Sequence, residues 1–173
     1  ILQAVYVAYA VQTLGLSATE VGATLGIYGA GMIVGAALAP AIARRLSFGA
    51  LVLLGPLCGL CAASVMLATL WLPSVVLVGT SFFLFGVGPI IWTISTMTLR
   101  QAVTPNAMLG RVSALIMTAT FGARPLGAAI GAAVAAQAGT AACLALATVG
   151  FLIQLLVIGF SRVPRLRDIA ELA

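Results

Sequence analysis

Polar residues along this chain gather at short intervals between long apolar stretches. The stretches fall at about 20–43, 50–72, 75–99, 112–136 and 139–161. Each is near the roughly 20 residues that an α-helix needs to cross a hydrocarbon core of about 30 Å. Between them stand Arg44-Arg45-Leu46-Ser47-Phe48-Gly49, Trp71-Leu72-Pro73-Ser74, the segment from Arg100 to Arg111, and Gln137-Ala138-Gly139-Thr140. Residues 1–12 (ILQAVYVAYAVQ) are too short to cross. They read as the end of a helix whose start is missing, followed by a loop at 13–19. In that loop Ser17 and Glu20 have capping-box spacing, each able to satisfy a free N–H at the start of the next helix.

Composition turns this pattern into a membrane argument. Hydrophobic residues make up 63% of the 173 positions and charged residues 6%, with no His. A water-facing globular surface carries about 25% charged residues, so most of this surface must face lipid. The apolar runs are too long and too numerous for a secretory signal. All three cysteines, Cys58, Cys61 and Cys143, lie inside apolar runs. Cys58 and Cys61 have C-x-x-C spacing, but no second pair and no His completes a metal site, so they read as small buried hydrophobes. No nucleophile–base pair, phosphate-binding loop or metal cluster is present, which argues against a membrane enzyme. No cofactor is implied.

Charge sorts the spans by side. Five crossings place the 44–49 connection, the 100–111 connection and the 162–173 segment at one face. That face collects Arg44, Arg45, Arg100, Arg111, Arg162, Arg165 and Arg167, whereas the opposite connections hold Glu20 and no Arg. Under the positive-inside rule the Arg-bearing face is cytoplasmic. The net charge of +5 therefore reports orientation in a membrane, with no nucleic-acid partner implied.

Inside the spans, glycines four apart occur at Gly22/Gly26, Gly31/Gly35, Gly55/Gly59 and Gly127/Gly131. Such pairs let helix backbones approach closely enough for dispersion to hold them. Pro40, Pro89 and Pro125 each remove a helical N–H and are expected to bend their helices. Arg124 is the charge deepest in a span, 13 residues beyond Arg111, or about 20 Å along a helix. It belongs against protein or a water-filled cavity, because lipid exposure costs several kcal/mol. Three roles fit it: attracting an anionic group in a translocation path, binding the carbonyl that Pro125 leaves unpaired, or snorkelling toward the cytoplasm. Helical spacing puts Pro89, Thr93, Thr96 and Arg100 on one stripe with Trp92 beside it, and Gln3 with Tyr6 on another face, Tyr9 and Thr13 continuing nearby. These groups suit either a cavity for a large amphipathic molecule or hydrogen bonds between packed helices. Spans 50–72 and 139–161 carry almost nothing polar except Gln154 and read as outer, lipid-facing helices. No Asp, Glu or His lies within a span, so a proton-carrying carboxylate would have to come from outside this chain.

The most specific stretch is Leu99-Arg100-Gln101-Ala102-Val103-Thr104-Pro105-Asn106-Ala107-Met108-Leu109-Gly110-Arg111-Val112. It resembles the connection between the tenth and eleventh helices of bacterial major facilitator superfamily exporters, in the branch that includes enterobactin-type siderophore exporters and macrolide efflux proteins. Gly122-Ala123-Arg124-Pro125-Leu126-Gly127 and Leu14-Gly15-Leu16-Ser17-Ala18 are similar to that branch too. The resemblance implies an all-α, polytopic transmembrane bundle comprising helices seven (its end only) to twelve, the C-terminal six-helix half of a twelve-helix transporter. Residues 1–161 would form the bundle and 162–173 a cytoplasmic tail, in a bacterial inner membrane. Helices seven and ten line the family's central cavity, which supports placing Gln3, Tyr6, Trp92, Thr93 and Thr96 there with Arg124. Residues 41–49 (AIARRLSFG) look like a degenerate copy of the superfamily's loop signature. Arg45 stands in the Arg place, but Arg44 stands where Asp would be, so the charge-pair latch of that signature is incomplete. The fixed Gln101, Pro105 and Gly110 between Arg100 and Arg111 point to a structural hinge or latch, by analogy with transporters whose halves rock.

The expectation is a secondary transporter that exports a small amphipathic molecule, of drug or siderophore class, by alternating access. Its partners would be the bilayer, an N-terminal half and the substrate, with proton coupling residing in that other half. A non-transporting membrane scaffold or assembly subunit is the alternative. The topology yields a direct prediction. In a background lacking Cys58, Cys61 and Cys143, single cysteines at Ser47 and Asn106 will react with an impermeant maleimide only from the cytoplasmic side. Labelling of the two from opposite sides of intact cells would overturn the map.

Overall fold

The computed structural model describes residues 2–161, the side chains of residues 2–4 and 102 excepted. The expected tail at 162–173 and the side chain of Gln3 lie outside the described residues. Among them there are helices and no strands: α1 (Leu2–Gln12), α2 (Ala18–Ala43), α3 (Phe48–Ala68), α4 (Val75–Val103) and α5 (Asn106–Phe160). This is the all-α bundle that the apolar pattern implies. The last four helices are long and apolar enough to cross a membrane.

The helix ends follow local chemistry. The Ser17 hydroxyl accepts from the Glu20 N–H at 3.3 Å, and the Ser17 N–H donates to the Glu20 carboxylate at 2.8 Å, completing the capping box. Ser47 and Ser74 cap α3 and α4 through the N–H groups of Ala50 and Val76. The expected break at Arg100 lies elsewhere: α4 runs to Val103, and Thr104 and Pro105 alone separate it from α5. Charge does not end a helix, whereas proline forces the residue before it into extended backbone. Thr104 is extended, with φ −105° and ψ 125°. α3 likewise stops at Ala68, short of the expected 72, ahead of Pro73. Pro40, Pro56, Pro89 and Pro125 all lie inside helices that continue through them.

α5 is two helices in one. Gly139 has φ 81° and ψ 170°, a left-handed region open to glycine at little cost. A continuous helix would separate residues 131 and 143 by about 18 Å. Instead the Cys143 thiol donates to the Gly131 carbonyl at 3.5 Å. The arms 106–138 and 140–160 therefore fold back on each other as a hairpin.

The arrangement around α4 rests on small residues. α2 and α3 both pack along α4; α3 also packs on α5, and so does α1. A Cβ at Gly31 would lie 2.5 Å from the Phe83 carbonyl oxygen, and one at Gly35 would lie 2.8 Å from that of Val87. On the α4 side, a Cβ at Gly86 would collide with the backbone of Tyr28, Gly31 and Met32. α2 and α4 therefore touch backbone to backbone. Residue numbers rise together along this seam, so the two helices are parallel.

The main core cluster draws on every helix: Tyr6, Tyr9 and Ala10 of α1, Val21 of α2, Met66 of α3, Val78 and Phe82 of α4, and Leu144 and Ala147 of α5. It sits at the end opposite the arginines, since Val21 and Val78 are near the starts of their helices and Met66 is near the end of its own. Toward the arginine end a smaller cluster of Ala39, Leu51 and Ile91 involves α2, α3 and α4 alone. The reading of span 50–72 as an outer helix needs revision. In its most apolar stretch 44% of α3 is buried, against 17% for α2 and α5. A scarcity of polar groups fits an apolar protein neighbour as well as it fits lipid.

The glycine seam makes a paired prediction. Gly86→Ala will cost about 1–3 kcal/mol in unfolding from mixed detergent micelles, because the methyl meets backbone that cannot move aside. A Cβ at Gly22 meets nothing within 4 Å. Gly22→Ala will therefore stabilise by about 0.5–1 kcal/mol through helix propensity alone.

Candidate functional site

Polar groups in these helices divide into those that bind one helix to another and those left at the surface. Tyr6 belongs to the first set. It is 2% exposed, its hydroxyl hydrogen bonds to Thr24 of α2, and its ring meets Phe82 edge-on at 4.4 Å between centroids. Thr24 donates to the Val21 carbonyl, which leaves Tyr6 as the donor between them. Tyr9 repeats the device one turn on, bonding Thr69 at 2.7 Å while Thr69 donates to the Met66 carbonyl. Ser81 of α4 donates to the Ala62 carbonyl of α3 at 2.7 Å. Such bonds contribute roughly 0.6 kcal/mol each within membranes, up to about 1.7. Thr24, Thr69 and Ser81 were not singled out from sequence, whereas Tyr9 was placed near the face of Gln3 and Tyr6. Tyr9 and Thr24 do carry a signal, a hydroxyl facing the same stripe as the small or aromatic residues of their helices.

On α4, Trp92 is turned toward α3: a Cβ at Gly55 would lie 2.5 Å from the Trp92 Cβ. Its indole N–H is buried and meets no acceptor among the described residues. Thr93 is exposed and Thr96 half-buried. Both donate to their own helix, Thr93 to the Pro89 carbonyl at 2.7 Å and Thr96 to the Trp92 carbonyl at 2.8 Å. With donors satisfied internally, the exposed face of each hydroxyl offers an acceptor. Phe82, against which Tyr6 packs, precedes Thr93 by 11 residues, about 16 Å along α4. Tyr6 and the threonine pair therefore stand at different depths.

Arg124 lies on the first arm of α5, where nearly every residue from 114 to 126 is exposed. It precedes the Gly139 joint by 15 residues, about 22 Å, which matches its distance from Arg111 within a turn. Its guanidinium rests over the Phe121 ring, with Cζ 4.7 Å from the centroid, a cation–π contact. No carbonyl accepts from it among the described residues. Glu20, the one acid in 2–161, is engaged at its own helix start. Gly127 and Gly131 follow on the same arm, Gly127 half-buried and Gly131 buried in the hairpin.

The residues considered for gating gather at one end. Gln101, Pro105, Gly110 and Arg111 are exposed, Arg100 is half-buried, and Arg45 is exposed just past the end of α2. A Cβ at Gly110 would meet nothing within 4 Å. Among the described residues no group of His, Cys, Asp or Glu could hold a metal ion.

Neither a curated protein nor a solved structure matches the chain. The family described as transmembrane secretion effector matches residues 5–172. A multi-pass helical bundle with exposed polar groups on apolar spans is what a membrane transporter requires, and with nearly its whole length matched the chain belongs to that family of the major facilitator superfamily.

Proposed function

We propose that this chain supplies one helix bundle of an exporter for small amphipathic molecules, working by alternating access in a bacterial cytoplasmic membrane with the arginine end inside. Arg124 is the observation that carries the reading. A guanidinium held halfway along an apolar helix, exposed and covered on one side by Phe121 alone, is costly against lipid. It is stable against water, an anionic group or a carboxylate from a facing bundle. The exposed arm 106–138 and the exposed Thr93 on α4 would then look into the cavity between this bundle and a second one, with the C-terminal bundle position implied by the sequence resemblance.

In this mechanism the substrate binds near the midplane between bundles, the apolar faces of α4 and α5 hold its hydrocarbon parts, and Arg124 attracts an acceptor or negative group. Thr93 and Thr96 accept hydrogen bonds from it. The transport proton, if one is used, titrates on a group outside this chain, since no carboxylate lies within these spans away from the helix starts. Rocking of the bundles then alternates access, with the short Thr104-Pro105 connection and Arg45, Arg100 and Arg111 at the cytoplasmic rim.

The test is transport by the native protein in inverted vesicles with an amphipathic fluorescent substrate and an imposed proton gradient. Arg124→Ala will lower the initial rate by about ten-fold or more, the scale of losing one charge-assisted hydrogen bond. Arg124→Lys will retain part of it. Unchanged rates in Arg124→Ala vesicles with equal protein would remove Arg124 from the path. A second prediction concerns Tyr6: Tyr6→Phe will lower the unfolding midpoint and leave the apparent KM within two-fold, because its hydroxyl is occupied by Thr24.

A further inference from the structure

Four arginines at one end of the bundle have no acidic neighbour among the described residues, and the packing of α2 on α4 sets where two of them stand. Gly31 meets Gly86 and Gly35 meets Ile90, an offset of 55 residues in both cases. Because α2 and α4 are parallel, that offset places the last residue of α2, Ala43, level with Thr98, so that Arg44 and Arg45 leave α2 within about a turn of Arg100. The packing of this end includes Ile42 of α2 on the cluster formed by Ala39, Leu51 and Ile91, and Ile91 precedes Arg100 by about 14 Å along α4. Beyond it come the α2 C-cap Arg44 and then Arg45, while Arg100 is in the last turn of α4. Arg111 is in the second turn of α5, which returns from the same end after two connecting residues.

None of these four guanidiniums takes part in a hydrogen bond, ion pair or ring contact among the described residues. Glu20 is at the far end of α2, about 37 Å away along the helix. Cations gathered at one end of a bundle repel each other unless an anion sits between them, and guanidinium forks match phosphate oxygens in geometry as well as charge. The C-terminal carbonyls of α2 and α4 favour cations here and add no donor to compete for the anion.

We propose that Arg45 and Arg100 form a binding site for the phosphodiester of an anionic phospholipid, with Arg44 and Arg111 at its margin. The site lies where an apolar seam between two spanning helices meets the headgroup layer, so acyl chains can follow α2 and α4 while the headgroup is clamped above. That continuity selects a lipid over free phosphate. The inference rests on the spans crossing a bilayer and not on transport, and its test has no transport readout.

The experiment measures lipid selectivity of the purified native protein in phosphatidylcholine nanodiscs doped with spin-labelled phosphatidylglycerol or spin-labelled phosphatidylcholine. The immobilised fraction of each gives a relative association constant. The native protein will prefer phosphatidylglycerol, and Arg45→Gln and Arg100→Gln will each lower that preference about five-fold, as expected for one basic group near a headgroup. Gln12→Glu, which removes the same net charge at the opposite end, will leave it unchanged. An equal drop in all three variants would show bulk charge rather than a site and overturn the proposal. So would a native preference near one, or displacement of the lipid by inorganic phosphate at matched ionic strength.

Discussion

Close backbone approach between α2 and α4 is the constraint on which the rest of this bundle depends. In lipid there is no hydrophobic force to drive helices together, so association relies on surfaces that fit. Gly31 and Gly35 on one side and Gly86 on the other remove the side chains that would hold the axes apart. α3 then uses the opposite flank of α4, and the second arm of α5 closes against α3 and α1. The seam also sets the register between α2 and α4, and hence which charged residues share a level at the arginine end.

Hydroxyl groups follow a second economy. In a medium without water each donor must find an acceptor, and the described helices solve this in two ways. Tyr6, Tyr9 and Ser81 bond across to another helix and are buried. Thr80, Thr93, Thr98 and Thr120 bond to a carbonyl one turn back on their own helix and are exposed. The first group fastens the bundle near the Ser17 and Ser74 end. The second keeps its acceptor positions available on faces that this bundle does not cover itself. The indole of Trp92 follows neither course.

Much of the architecture was legible because its causes are local. Apolar run length marked the spans, Ser17 and Glu20 announced a helix start, and the Gly31/Gly35 pair named a real seam. Gly139 fell in an expected connection and proves to be its joint. What was illegible depends on neighbours. The sequence around Arg100 suggested an end to α4, but proline chemistry at Pro105 outweighed charge. The apolar character of α3 was compatible with lipid or protein on its flanks, and only packing decided between them. For the candidate site, helical periodicity grouped Thr93 with Thr96 and set Trp92 beside them. It could not say that Trp92 turns toward Gly55, or that Tyr6 meets Thr24 and Phe82, because both depend on how far one helix is rotated against the next. The role proposed for Arg124 rests on its depth, which counting residues supplies, and on its exposure, which counting does not.

The joint at Gly139 bears on how the chain is inserted. Two antiparallel arms linked through one left-handed residue offer no hydrophilic loop to be carried through the hydrocarbon. The second arm begins at once with Thr140 and apolar residues, so little of it prefers water to lipid. The two arms are therefore a single hairpin element with its tip at Gly139. The thiol of Cys143 against the Gly131 carbonyl marks where the two arms meet. A residue with a side chain at the tip would strain this backbone even though open space surrounds it.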